Sequence, residues 1–353
     1  MTHRGTMVID VFLTIAAQED NLGDVAIRQQ MVNLVTADRT RLHISRGAMS
    51  DEYVDAFDFP AGADMYRTRR NQLVQLLRST ARGRAVILFP PGPYPVTSIR
   101  AGLRSLASVG LSLLVRARGG FSMTIGKSIR GTNLIACGVE KALVFSSNLY
   151  VARDLVSSSV LNRPIRHAPD LALLDAIAST PGPSRFVAVS LRSDRSVDKK
   201  LLHRVAEWAD DHGLTLAFVT QVRRDDDQHR QLASEIGGVL VDWGERTHRE
   251  QMIRVQETYC KAAIVVTDRL HAALFGAIAG AVPIGLVVNG EPSKIRDAFE
   301  DVLPFFPLER SEMASLGVLD DAIRAVAEVR AATWRSADEL KAIKEEVHGY
   351  LRS

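Results

Sequence analysis

Short apolar runs alternating with amphipathic stretches are the feature that most narrows the fold of this chain. In the first half the runs fall at residues 7–15, 85–89, 111–115 and 142–145, with helical patterns at 25–35 and 64–77. In the second half they fall at 186–191, 214–219, 239–241, 263–266 and 282–288, with helical patterns at 201–211, 251–262 and 271–281. Strands alternating with helices imply βαβ units and parallel sheets. At 353 residues the chain has room for two such domains. Pro164, Pro169, Pro181, Gly182 and Pro183 punctuate residues 160–184 and place the break there. The expected fold class is therefore α/β, with two doubly wound Rossmann-like domains facing a cleft, at residues 1–165 and 166–335. A charged amphipathic helix at 336–353 ends the chain, with Ser336 as N-cap and Glu339 three residues on as a capping box.

Composition removes several classes of function. A net charge of +3 with interspersed signs lacks the basic stripe of a nucleic-acid binder. Cys137 and Cys260 make no disulfide framework, and their apolar surroundings predict two buried free thiols. The apolar run at 7–17 lacks a cleavage pattern and reads as a first strand rather than a signal peptide. The run at 270–288 is broken by Gly276, Gly280 and Pro283 and reads as a helix followed by a strand, not a membrane span. The expected location is the cytoplasm. Nine histidines without HxxH or HExxH pairing predict no metal site. The segment 223–230, RRDDDQHR, reads as a solvated loop because its charges are mixed.

Four segments follow strands, where parallel sheets bind ligands. Asn21, Gly23 and Asp24 open the first helix. Glycine permits close backbone approach there, and asparagine and aspartate are also ordinary helix caps. Arg192 ends the strand at 186–191, placed either to grip a carboxylate or phosphate or to pair with Asp194. The segment Thr267-Asp268-Arg269-Leu270-His271 runs from a strand into a helix, with Asp268 as the expected N-cap. Two potential cations in a first turn oppose the helix dipole, which points to an anion bound among Arg269, His271 and the helix N–H groups. A half-buried histidine with a local hydrogen bond is the plainer alternative. Lys294 follows the last strand beyond Asn289-Gly290-Glu291-Pro292, and reads as an anion ligand or as a surface lysine.

Taken together, these elements resemble the polysaccharide pyruvyl transferase family. The resemblance rests on Asn21-x-Gly23-Asp24, Arg118-Gly119-Gly120-Phe121-Ser122, Pro169-Asp170-Leu171-Ala172-Leu173 and the strand ending in Arg192. It continues through Asp268-Arg269-Leu270-His271, the trailing Ala279-Gly280-Ala281-Val282-Pro283-Ile284, and Lys294. Two positions depart from the family pattern: Pro90-Pro91-Gly92-Pro93 stands where a glycine-rich turn is usual, and Gly119 where an acidic residue often follows the arginine.

The resemblance implies a glycosyltransferase-B-like fold, phosphoenolpyruvate as co-substrate, and no other cofactor. It implies transfer of pyruvate to a sugar of a cell-envelope glycan or exopolysaccharide as a cyclic ketal, with phosphate released. Residues 1–165 then form the acceptor side, around Asn21, Gly23 and Asp24, and residues 166–335 the donor side. Arg192 and Arg269 are expected to hold the anionic groups of phosphoenolpyruvate, with Lys294 assisting. His271 is the expected general acid or stabiliser of the leaving phosphate, and Asp24, across the cleft, the base or orienter of an acceptor hydroxyl. The acceptor is expected to be a sugar or a lipid-linked or nucleotide-linked glycan. A lipid-linked one implies peripheral contact with the inner membrane face; an oligomer stays open. Two alternatives share the same residues: a nucleotide-sugar glycosyltransferase, and a non-catalytic member that binds glycans.

Overall fold

A computed structural model of the chain describes residues 8–176, 184–196, 198–288 and 293–352. The chain divides into two compact units. One holds the chain up to Glu19, Ile27–Leu171 and the chain from Glu339 onward; the other holds Asp20–Ala26 and Ala172–Asp338. Against the expected first domain of 1–165, the boundary falls at Leu171, residues 20–26 leave, and the chain from Glu339 joins. The short segment at residues 20–26 goes with the second unit because Leu22, fully buried, belongs to that unit's core beside Ala188, Val219 and Trp243. Its backbone is also tied to residues 221–223: Leu22 N–H donates to Gln221, and Arg223 N–H to Asp20.

In chain order the first unit contains β1 (Ile9–Thr14), most of α1 (Leu22–Val35), β2 (Thr40–Ser45), α2 (Asp51–Val54), β3 (Asp64–Tyr66), α3 (Arg69–Ala81), β4 (Ala85–Phe89) and β5 (Gly92–Pro95). It continues with α4 (Ile99–Ala117), β6 (Phe121–Arg130), α5 (Leu134–Ser146), β7 (Leu149–Ala152) and α6 (Val156–Val160). All strand pairs are parallel, in the order β3-β2-β1-β4-β6, with β7 on the far side of β6 and β5 prolonging the β4 side. Every residue of β4 is buried, as a central parallel strand covered on both faces requires. The Pro90–Pro93 departure leads into the short strand β5 at the sheet's edge. Proline is tolerated there, and Gly92 supplies the positive φ of 106° at its start.

Two expected strands in this unit are helical. Residues 111–115 lie inside α4 and 142–145 inside α5. A short apolar run has no periodicity of its own to choose between the two states. Here the flanking caps decide it, since Ser98 accepts from Ala101 N–H at the start of α4 and Asn133 from Ala136 N–H at the start of α5.

The second unit contains β8 (Phe186–Ser190), α7 (Lys199–Asp211), β9 (Thr215–Val219), α8 (Asp226–Ile236), β10 (Val239–Val241), α9 (His248–Tyr259) and β11 (Ala262–Thr267). Next come α10 (Leu270–Ala279), β12 (Val282–Val287), α11 (Lys294–Phe299), β13 (Phe306–Glu309), α12 (Gly317–Arg324) and the start of α13 (Val326–Arg352), whose residues from Glu339 on belong to the first unit. Its six parallel strands run β10-β9-β8-β11-β12-β13. The terminal helix begins at Val326 rather than Ser336, and Ser336 is no cap. Its buried hydroxyl donates to the Ala332 carbonyl in mid-helix. Of the two thiols only Cys137 is buried; Cys260 is exposed at the end of α9.

Candidate active site

The strand order of the second unit's parallel sheet reverses between β8 and β11. Strands β9 and β10 lie on one side of that pair, and β12 and β13 on the other. The carboxyl ends of β8 and β11 lie side by side at this switch point, which is where such sheets bind ligands. Thr267 ties the two ends together. Its hydroxyl donates to the Ser190 carbonyl at 2.5 Å and accepts from Arg269 N–H at 2.9 Å.

Asp268 does not cap α10. Arg269 occupies the N-cap position, and no side chain caps that helix end. The Asp268 carboxylate is buried and turned toward the other loops, accepting from Arg192 N–H at 2.9 Å and pairing with Arg310. Burial pushes this carboxyl up from its ordinary range, against the pull of Arg310, Arg192 N–H and Arg195. Arg310 leaves β13, and its other nitrogen donates to the Ser196 carbonyl at 2.6 Å.

Arg192 leaves β8 and grips Asp194 with two bonds, Nε to Oδ1 at 2.8 Å and Nη2 to Oδ2 at 2.5 Å. That guanidinium holds the Asp194 carboxyl down at about 2. The pairing foreseen from spacing is thus made, at the rim of a pocket lined by Arg192, Arg195, Asp268, Ser293 and Lys294. Two of the expected anion ligands, Arg192 and Lys294, share this pocket. Asn289, Gly290, Glu291 and Pro292 lie outside the described residues.

Arg269 points to a second carboxylate. It pairs with Asp225, which is fully buried and also accepts from Ser193 N–H at 2.9 Å. The cation that looked unmatched in the first turn of α10 is therefore held by a residue from the loop after β9. This corrects the reading of 223–230 as a solvated loop: Asp225, Asp226 and His229 are all buried. Asp226 accepts from Trp243 N–H and Gly244 N–H at 2.7 and 3.0 Å. His229 Nε2 lies 2.9 Å from Leu191 N, and Nδ1 lies 2.9 Å from the Thr220 hydroxyl. A backbone N–H can only donate, so Nε2 accepts and the ring proton sits on Nδ1. Burial lowers this histidine to about 4, so it is neutral and anchors the end of β8.

His271 follows in the first turn of α10, half-buried, and packs on Gly23. Asn21 caps the start of α1, with Oδ1 accepting from Gly23 N–H at 3.0 Å and Nδ2 donating to Asp24 at 3.0 Å. Asn21, Gly23 and Asp24 thus belong to the same unit as Arg192, Arg269, His271 and Lys294. The expectation that set Asp24 across a cleft from His271, in the other domain, is corrected. The buried Leu22 carries the segment into the second unit's core.

Sequence reasoning missed Arg195, Asp225, His229 and Arg310. The carboxyl-end rule was available for Arg310, which directly follows a strand. Asp225 and His229 carry an i, i+4 spacing that places both on one helical face.

Residues 139–290 match the polysaccharide pyruvyl transferase family. The pyruvyl transferase match takes in Arg192, Asp225, His229, Asp268, Arg269 and His271, and ends before Lys294. No curated protein matches the sequence. Solved structures share the fold over nearly the whole chain. UDP-GlcNAc 2-epimerase from Neisseria meningitidis, bound to UDP-GlcNAc, is 12% identical, with 98% of this chain and 99% of that chain covered and a TM-score of 0.55. The S. aureus MnaA–UDP structure is 9% identical over 94% and 91%, with a TM-score of 0.53. UDP-GlcNAc 2-epimerase from Methanocaldococcus jannaschii is 11% identical over 91% and 92%, with a TM-score of 0.52. The likeness is one of fold, and it is the two-domain Rossmann-like, glycosyltransferase-B type.

Proposed function

We propose that this protein is a pyruvyl transferase that moves pyruvate from phosphoenolpyruvate to a sugar of a cell-envelope or exopolysaccharide glycan. The observation that carries this reading is the gathering of cations at the carboxyl ends of β8, β11, β12 and β13. Among the described residues, Arg192, Arg195, Arg269, Arg310 and Lys294 stand against Asp194, Asp225, Asp268 and Glu309. A surplus of fixed positive charge at a sheet's switch point suits a small substrate with a carboxylate and a phosphate a few ångströms apart.

The chemistry follows from those groups. A proton from His271 goes to the methylene carbon of phosphoenolpyruvate, making it a methyl, as an acceptor hydroxyl forms its bond to C2. Asp24 takes or orients the hydroxyl proton. The C2–O bond to phosphate then breaks, with Arg192, Arg269 and Lys294 stabilising the departing charge. A second hydroxyl of the same sugar closes the ketal and gives up its proton. The acceptor is a sugar or a lipid-linked or nucleotide-linked glycan, and the protein itself supplies the cations that the leaving phosphate needs.

Phosphate release from phosphoenolpyruvate over a panel of acceptor glycans tests the reading. The expected result is acceptor-dependent release that falls by roughly a hundredfold or more in Arg269→Ala and His271→Ala. Normal turnover in both variants would overturn the residue assignment. Turnover of a nucleotide sugar with none of phosphoenolpyruvate would overturn the reaction.

A further inference from the structure

Helix α4 of the first unit is built inside out. Its buried residues are small or polar: Ala101, Gly102, Ser105, Val109, Ser112 and Val115. The serines are satisfied inside, Ser105 by Glu140 at 2.7 Å and Ser112 by Ser122 and the Ser146 carbonyl, each at 2.7 Å. The leucines face out instead. Ile99, Leu103, Leu106 and Leu113 recur at spacings of three, four and seven along one stripe, and Leu103 is 62% exposed. The neighbouring α5 does the same, with Leu134 86% and Phe145 65% exposed.

The two helices run side by side in the same direction. A Cβ on Gly102 would lie 3.1 Å from Ala136 near their starts, and Arg116 donates to the Phe145 and Ser146 carbonyls near their ends. Their apolar stripes are therefore adjacent. An outward apolar face of this kind on a folded domain marks a contact surface.

Charge says what covers it. Helix α4 carries Arg100, Arg104 and Arg116 and no acidic residue. Arg163 lies 3.7 Å over the Phe145 ring. The one acidic residue of the two helices, Glu140, is fully buried and held by Lys127, Tyr150 and Ser105. A second copy of this chain packed symmetrically on the face would bury arginines with no acidic residue of α4 or α5 in either copy left to pair with them. An anionic lipid surface would accept the leucines among its acyl chains and answer the arginines with its headgroups. Among the described residues no helix is long and apolar enough to cross a membrane, so the contact lies on the bilayer.

We propose that the outer face of α4 and α5 docks this protein on an anionic lipid bilayer. This stands independently of the reaction proposed above. The test is co-sedimentation of the full chain with vesicles of phosphatidylcholine alone and of phosphatidylcholine with phosphatidylglycerol. None of the vesicles contains a glycan acceptor, so failure here leaves the pyruvyl transfer reading untouched. Binding is expected on the anionic vesicles and not on the neutral ones, and it should weaken as salt rises. Leu103→Ser with Leu106→Ser, and Arg100→Gln with Arg104→Gln, should each lower the partition coefficient at least tenfold while leaving the thermal melt unchanged. No binding to anionic vesicles, equal binding to neutral ones, or variants that bind as well as the parent chain would overturn the proposal. So would a dimer in sedimentation velocity that the leucine variant dissociates.

Discussion

Gly23 leaves the space that the His271 ring fills: a Cβ placed on Gly23 would lie 2.0 Å from His271 Nδ1 and 2.3 Å from Cγ. Even an alanine therefore requires the imidazole or the start of α1 to move. The first motif of the chain and the helix-start motif of the second unit act as one piece, with the glycine seating the histidine. Gly23→Ala is expected to lower kcat for phosphoenolpyruvate by ten- to a hundredfold, on the scale of about 1 Å of misplacement, with an unchanged far-UV circular dichroism spectrum. Steady-state kinetics on the parent and variant enzymes check it; a variant with parental kcat would show that His271 tolerates displacement.

Asp225 holds both the Arg269 guanidinium and Ser193 N–H from a fully buried position. Asp225→Asn keeps the size and an acceptor for Ser193 but leaves a largely buried arginine without its counter-charge. The expected cost is about 3 kcal/mol of folding stability, read by urea denaturation, together with a raised KM for phosphoenolpyruvate as Arg269 loses its fixed position.

His229 makes stability depend on pH in a known direction. Burial lowers it from an ordinary 6.5 to about 4, so between those values the unfolded chain binds the extra proton and the folded chain does not. Its contribution is fully present above about pH 6.5. It is lost as pH falls toward 4, by up to about 3 kcal/mol. Denaturation curves at pH 7, 5.5 and 4.5 should show a steeper decline for the parent chain than for His229→Gln.

Arg192 is paired with Asp194, whose side chain is largely exposed at 60%. An exposed ion pair contributes about 0–1 kcal/mol, so an anionic substrate can displace Asp194 at small cost. Asp194→Asn removes the competitor, and KM for phosphoenolpyruvate should fall a few-fold with kcat little changed. A raised KM would mean that Asp194 positions Arg192 instead of competing for it.

Much of the second unit was legible in the sequence. The runs at 186–191, 214–219, 239–241, 263–266 and 282–288 became β8 to β12 with small shifts at their ends, because buried parallel strands bounded by polar turns leave a local signature. The first unit was harder to read. Strand β6, Phe121–Arg130, carries Ser122, Thr124, Lys127 and Ser128 in buried positions, and α4 shows its leucines to the outside. Both invert the usual pattern of apolar inside and polar outside, and only partners distant in sequence, such as Glu140 for Lys127, make the inversion tolerable.

The sequence by itself determined the alternation of strands and helices, and it put Arg192, Arg269, His271 and Lys294 in the segments that follow strands, where parallel sheets bind ligands. Those properties depend on residues a few positions apart. Only the tertiary structure decided which carboxylate faces each arginine and that Asp268 serves Arg310 rather than a helix end. It also decided that Gly23 belongs beneath His271. Arg192 with Asp194 apart, these pairs join segments from 42 to more than two hundred residues apart in the chain, and the low dielectric of the buried sheet ends makes the choice of partner costly to change.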